Sequence, residues 1–249
     1  MGRFASTIPF YARYREPYPP EFFSTLAARL GLTGKERLLD LGCGPAPLAL
    51  GFARFVGSCT GVDPEPGMIA AAHEEAACAG VALKLREATV ESLPESIGKF
   101  DIVTIGRALH WMEPRKTRSV LEHLVSESGA VLLCGASPAK TSANAWLAAY
   151  DQVRKQWSRP GEGPRYSVDV EQWFSGSRFR LVDRIAVPSI HRVTVEELIG
   201  RALSKSTTSP QLLGERRTRF EEAIAQALRP FAPDGNLVEE IEAAARIFQ

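Results

Sequence analysis

The residues with chemistry to offer stand at fixed intervals in the first half of the chain. Gly42 and Gly44 flank Cys43, and Asp40 stands just before them. Asp63 follows about 20 residues beyond the turn, the interval at which nucleotide-binding folds place a carboxylate to accept ribose hydroxyls. Glycines lack a Cβ, so they can take positive φ and let a ligand approach the main chain. Further on stand Gly106, Arg107, His110 and Trp111. They supply a second close-approach point, a cation, a group that exchanges protons near neutral pH, and a flat apolar wall with one N–H donor. Together these types suit a polar, nucleotide-like ligand with a reaction centre beside it.

The elements that must position these residues follow from pattern. Residues 37–41 (RLLDL) are a short apolar run bounded by polar and glycine residues, which suits a strand covered on both faces. A glycine turn comes next. A helix is expected to start near Pro45, because proline suits the first helical turn, whose open N–H groups can meet a polar ligand. A second strand over 58–62 delivers Asp63. Residues 64–67 make a turn that begins at Pro64, and the alanine-rich stretch 68–79 is a helix. Third and fourth strands fall at 82–86 and 100–105, and the fourth delivers Gly106. In a doubly wound sheet, ligands sit at such strand ends. A helix over 115–128 and a fifth strand over 129–135 complete the regular alternation.

Beyond residue 135 the pattern loosens. A helix over 141–157 carries Trp146, Tyr150 and Trp157, and a Gly- and Pro-rich loop covers 158–164. A short helix is expected over 168–174. A long strand is expected over 178–193, with Pro188 at a bend or an edge position. Thr194 and Glu197 form a capping-box signature for a helix to about Ser204. A polar loop over 205–210 and a helix over 215–229 follow. Residues 237–249, rich in Glu, Ala, Leu and Ile, have helical composition. At the other end, Pro17, Pro19 and Pro20 exclude a helix through them, and residues 21–30 form one that Gly31 ends.

Composition narrows the function classes. The chain has 249 residues, 45% hydrophobic and 24% charged, enough for one large core or a core with a cap. A net charge of +1 gives no strong field toward nucleic acid or an anionic membrane. Cysteines 43, 59, 78 and 134 lie far apart with no C-x-x-C, so they read as reduced thiols, not a disulfide frame or a zinc site. No metal-ligand constellation, leader pattern or membrane-length apolar run is visible. The expectation is a cytoplasmic enzyme acting on a small molecule, with no metal, no nucleic acid and no membrane partner.

Two cofactors fit the glycine turn. A dinucleotide site wants G-x-G-x-x-G/A, with a small residue where this chain has Pro47. Residues 40–46, D-L-G-C-G-P-A, resemble instead the first motif of class I S-adenosylmethionine (SAM) methyltransferases, D/E-x-G-x-G-x-G, with Ala46 for the third glycine. Residues 11–19 resemble the Y-x-x-Y-R-P-x-Y-P opening of type 11, UbiE-like small-molecule methyltransferases, a group that includes trans-aconitate methyltransferase-like enzymes. Glu16 interrupts that Arg-Pro pair. Residues 88–94, A-T-V-E-S-L-P, are similar to the family's G-D-A-E-D-L-P, and residues 106–111 to its S-x-x-H-W.

The resemblance implies an α/β, Rossmann-like fold: a seven-stranded, mostly parallel sheet with the last strand antiparallel, plus helical cap insertions. It puts that last strand at 236–249, against the helical composition there. It implies a single domain with its core over 33–138, an N-terminal lid over 1–32, cap segments over 139–176 and 194–232, and C-terminal strands over 177–193 and 236–249. SAM is the implied cofactor and S-adenosylhomocysteine (SAH) the product. The acceptor would be a small organic molecule methylated at oxygen, nitrogen or carbon, a carboxylate among the candidates.

By the same resemblance Asp40, Gly42, Cys43, Gly44, Pro64, Glu91 and Gly106 line the cofactor with Asp63. Met68 lies against the adenine, and Thr89 and Val90 bond its edge. Tyr11, Tyr14 and Arg15 touch the methionine carboxylate. His110 acts as general base or orients the acceptor, while Arg107, Trp111 and Trp146 contact it. A SAM-binding enzyme that steers a cyclisation or rearrangement would carry the same motifs. A nicotinamide oxidoreductase is the other rival, and Pro47 stands against it.

Overall fold

The structure, a computed structural model, describes residues 6–159, 165–166 and 169–249. In chain order the elements are α1 (Ile8–Tyr14), α2 (Pro20–Leu30), β1 (Arg37–Leu41), α3 (Pro47–Phe52), β2 (Ser58–Asp63), α4 (Pro66–Ala79), β3 (Leu83–Glu87), β4 (Phe100–Gly106), α5 (Pro114–Leu124), β5 (Val125–Pro138), α6 (Leu147–Trp157), α7 (Val170–Phe174), β6 (Leu181–Thr194), α8 (Val195–Leu203), α9 (Pro210–Leu213), α10 (Arg217–Leu228) and β7 (Asn236–Phe248). Part of the expected short helix over 168–174 lies outside the described residues.

Among the described residues the strands form one seven-stranded sheet in the order β3-β2-β1-β4-β5-β7-β6. β1 runs parallel to β2 and β4, β2 to β3, and β4 to β5. β7 is antiparallel to the rest. Its end shows this directly, since Arg180 and Gln249 exchange both main-chain hydrogen bonds, at 2.7 and 3.0 Å. The strand order reverses between β1 and β4, and open sheets of this kind bind ligands at the carboxyl ends of strands beside such a reversal. β6 takes the edge, where Pro188 can lack an N–H without breaking an interior ladder.

The chain divides into two compact units. The larger comprises residues 18–135, 164–187 and 243–249. Its central strands are apolar because both faces are covered: Leu38, Leu39, Leu41 and Val103 have no exposed surface. Burial of each such side chain contributes roughly 1.5–3 kcal/mol. Gly31 ends α2 in a left-handed conformation at φ 64°, with Leu32 N–H donating back to Ala27 O. Helix α5 stops at Leu124 and does not run to residue 128. Val125 pairs with Phe100 of β4 through an irregular register, so the sheet claims residues that composition left to the helix.

The second unit comprises residues up to 17, 136–163 and 188–242. Its helices α6, α8 and α10 close over Trp146, Tyr150, Leu198, Leu203, Phe220 and Ile224. Helix α8 carries the expected capping box. Thr194 Oγ1 accepts from Glu197 N–H at 3.1 Å, and the Glu197 carboxylate accepts from Thr194 N–H at 2.8 Å. A bidentate ion pair joins Arg201 to Glu239, and both are at least 95% buried, at 5% and 1% exposure. The expected polar loop ends in the short helix α9, which Ser209 caps by accepting from Leu212 N–H at 3.3 Å.

Candidate active site

The turn after β1 is built from left-handed residues. Gly42, Gly44 and Ala46 have φ of 65°, 55° and 62°. Two of them are glycines, for which this conformation carries no steric cost, while Ala46 holds its Cβ there against preference. Ala46 N–H donates to Cys43 O at 2.9 Å and closes the turn. That closure delays the helix, so α3 starts at Pro47 and not near Pro45. Pro47, which argues against a dinucleotide site, is thus the first helical residue.

Main-chain bonds then tie this turn to β2. Cys43 N–H donates to Val62 O at 3.0 Å, and Gly44 N–H donates to Asp63 Oδ2 at 2.9 Å. The other Asp63 oxygen accepts from Glu65 N–H at 3.0 Å, fixing the turn that contains exposed Pro64. Burial raises the Asp63 carboxyl above its ordinary range.

Asp40 lies beneath the turn, 1% exposed. Its Oδ1 accepts from the Thr104 hydroxyl at 2.8 Å and its Oδ2 from Ala49 N–H at 3.4 Å, joining β1 to β4 and α3. Desolvation pushes its pKa up to about 7. Cys43 is 5% exposed, and burial raises its thiol far above neutrality, so it is a packing group and not a nucleophile.

Met68 and Val90 are buried, at 3% and 5% exposure, whereas Thr89 is exposed. Glu91 serves the chain itself: its Oε1 accepts from Glu113 N–H at 2.9 Å and the Thr117 hydroxyl at 3.4 Å, pinning the start of α5. The space a side chain at Gly106 would need is taken by Leu48, whose Cδ1 would lie 2.6 Å from a Cβ. Packing alone therefore accounts for that glycine.

The segment after β4 presents Arg107, His110 and Trp111. Arg107 is left-handed at φ 58°, and its guanidinium lies 5.0 Å over the Tyr18 ring. His110 and Trp111 share a single 3₁₀ turn with ring centroids 4.6 Å apart. Arg165 joins them: its Nη2 donates to His110 Nε2 at 3.3 Å, and its guanidinium lies 4.6 Å over the Trp111 ring. Tyr166 N–H donates to His110 O at 2.9 Å.

The sequence pattern did not single out Tyr18 or Arg165. Tyr18 was visible in the opening motif. Arg165 stands 55 positions from His110, and no local signal pairs them.

Four of the expected contacts belong to the second unit and are engaged there. Arg15 lies 4.5 Å over the Tyr11 ring and donates to Ser204 O at 3.3 Å. The Tyr14 ring fills the space a Cβ at Gly200 would occupy, and its carbonyl accepts from Arg201 Nε at 2.9 Å. Trp146 is 2% exposed, packed edge-on against Tyr150 in the core, with its indole N–H directed to Val238 O at 3.4 Å. That is a core position, not an exposed pocket wall. Among the described residues no cluster of His, Cys, Asp and Glu could hold a metal ion, and no helix is long and apolar enough to cross a membrane.

Residues 38–126 match the sequence model of a methyltransferase domain. Over 107 residues the chain is 36% identical to a ubiquinone biosynthesis O-methyltransferase of Pseudomonas aeruginosa, covering 42% of this chain and 46% of that protein. The chain thus spans less than half the length of that curated relative. A SAM-dependent methyltransferase from Thiobacillus denitrificans, solved with SAH, superposes with a TM-score of 0.57 at 15% identity, over 100% of this chain and 98% of that one. The [4+2]-cyclase SpnF shares the fold at a TM-score of 0.53 and 18% identity, over 91% of this chain and 80% of that one. The glycine turn and Asp63 lie inside the segment that matches the methyltransferase-domain model, and the chain shares the fold of these solved proteins.

Proposed function

We propose that the protein transfers a methyl group from SAM to a small organic acceptor, at oxygen, nitrogen or carbon. The observation that carries this reading is the hydrogen bond from Gly44 N–H to Asp63 Oδ2 at 2.9 Å. It holds a left-handed turn and a carboxylate side by side at the ends of β1 and β2. The residues fit the cofactor. Each Asp63 oxygen accepts one main-chain N–H and keeps further acceptor capacity for ribose hydroxyls. Val90 offers a backbone N–H, and buried Met68 and Val90 offer apolar surface to a flat ring.

When bound, SAM supplies a methyl group on a sulfonium, which departs as SAH with the bonding pair left on sulfur. The chain's part is then positioning. Asp40 holds β1, β4 and α3 in register beneath the turn. Glu91 anchors the start of α5, just past the His110 segment. Arg107, His110 and Trp111 stand after β4 where an acceptor would lie, His110 as a group that orients the acceptor.

Calorimetry with SAM and SAH, followed by mass spectrometry of incubations with candidate acceptors, tests the proposal. The expected result is SAH formed in step with a methylated product. Product formed without SAH would favour the rival of the same fold, a cyclisation or rearrangement. Absence of SAM binding would reject both.

A further inference from the structure

The contact between Arg165 and His110 constrains the chemistry. Arginine carries donors and no acceptor, and it keeps its charge at any working pH. As a hydrogen bond, the 3.3 Å contact from Arg165 Nη2 to His110 Nε2 requires one tautomer: Nε2 presents its lone pair to Arg165, and the ring proton sits on Nδ1. An imidazole so arranged has no open lone pair with which to take a proton. Protonating Nε2 would set two N–H groups and two positive charges against each other. The geometry is poor for a general base.

It is well suited to an anion. A guanidinium placed over an indole, here 4.6 Å from the Trp111 ring centroid, is restricted in position, and its fork of donors matches the oxygens of an acid. Tyr166 N–H on His110 O holds the two segments together through the main chain at 2.9 Å. We infer that Arg165 selects the acceptor: it takes the anionic oxygen of a carboxylate or a phenolate on the guanidinium that holds His110, and transfer proceeds without a general base. This rests on the methyltransferase reading above.

The electron count agrees. The acceptor oxygen uses a lone pair to bond the methyl carbon, and sulfur keeps the pair of the bond that breaks. The acceptor's negative charge cancels the positive charge of the sulfonium: a carboxylate has no proton to lose, and a phenol gives its proton to solvent as the guanidinium stabilises the phenolate. An alcohol or an ammonium acceptor would have to lose one, and His110 so held has no lone pair to receive it.

The test compares the wild-type protein with Arg165→Gln and Arg165→Lys. Arg165 is exposed, so neither change disturbs a core. Aromatic and short aliphatic carboxylic acids and phenols are paired with the matching amides and amines and assayed for SAH release. Calorimetry measures SAM affinity in parallel, and nitrogen NMR reads the His110 tautomer. Turnover is expected on anionic acceptors, with KM for them raised about tenfold to a hundredfold in Arg165→Gln while kcat and SAM affinity stay within a few-fold. Arg165→Lys should recover phenolates more fully than carboxylates, because lysine offers a point charge in place of a two-pronged fork.

An unchanged KM in Arg165→Gln, turnover of no anionic acceptor, or an Nε2–H tautomer in the wild type would overturn the inference while SAM still binds. A wild-type protein that does not bind SAM overturns the methyltransferase reading and this inference with it, and calorimetry marks that case apart.

Discussion

The turn between β1 and β2 leans on main-chain donors. Cys43, Gly44, Ala49 and Glu65 each give a backbone N–H to β2 or to a buried carboxylate. The segment after β4 leans on side-chain contacts: Arg107 over Tyr18, and Arg165 over Trp111 and in hydrogen-bond contact with His110. Backbone donors keep their geometry whatever side chains surround them, so the first region suits one unvarying ligand. A set of side-chain contacts is rebuilt by a single substitution, so the second region can be retuned from one acceptor to another. Substitutions in the first should cost binding and folding together, whereas those in the second should change kinetics with the fold intact.

The most severe test of that contrast is Gly42→Val. Its Cβ would lie 2.5 Å from the Ala108 Cβ, at a φ of 65°. Overpacking and left-handed strain together should cost more than about 3 kcal/mol. The expected outcome is loss of cooperative thermal unfolding as well as SAM binding. A folded variant with wild-type affinity would break the comparison.

Asp63→Ala comes next. It removes the acceptor of two main-chain N–H groups, so stability should fall by about 1–3 kcal/mol. SAM affinity should fall roughly tenfold to a hundredfold by calorimetry. Loss of one without the other would separate the turn's folding from its binding.

Glu91→Ala probes the join between a cofactor-side loop and α5. It strands the Glu113 N–H, and chemical denaturation should register a loss of about 1–2 kcal/mol. Acceptor KM should rise more than the dissociation constant of SAM. Equal shifts in both would mean that the two regions are not distinct at this point.

Asp40→Asn sharpens the account of the buried carboxylates. The Asp40 pKa is raised from its ordinary 3.8 to about 7, so the folded state binds this proton more tightly than the unfolded chain does. Its contribution to stability is full below pH about 4 and is lost as pH rises toward about 7. Denaturation midpoints measured across that window should fall with pH in the wild type and fall less in Asp40→Asn. Parallel curves would show that Asp40 ionises freely in the fold.

The smallest expected effect is Ala46→Gly. It relieves a left-handed alanine at φ 62°, while glycine makes the unfolded chain more flexible. The net should be a stabilisation below about 1 kcal/mol, seen as a slightly higher Tm with SAM affinity unchanged. A lower Tm would mean that the turn gains from its Cβ.

The end of the chain shows where local pattern misleads. Residues 236–248 have helical composition yet form β7, with alternate residues buried. The alternation was present in the sequence but hidden, because one inward position is Glu239. That carboxylate is tolerated there only through its ion pair with Arg201, 38 residues away. The end of α5 was obscured in a related way, since residues 125–128 read as helix, yet β5 begins at Val125, which pairs with Phe100 of β4.

By itself the sequence determined the central strands, the glycine turn, the position of Asp63 and the capped start of α8. Each is written in neighbouring residues: an apolar run long enough for a strand, glycines where φ must be positive, a hydroxyl three residues from a carboxylate. Tertiary structure decided which polar side chains meet. Arg165 with His110, Arg107 with Tyr18, Glu91 with the start of α5, and Trp146 with Val238 are pairings across 22 to 92 positions of chain. Such contacts depend on how helices and strands pack, and packing is settled by the summed burial of apolar side chains, not by the identity of any one residue.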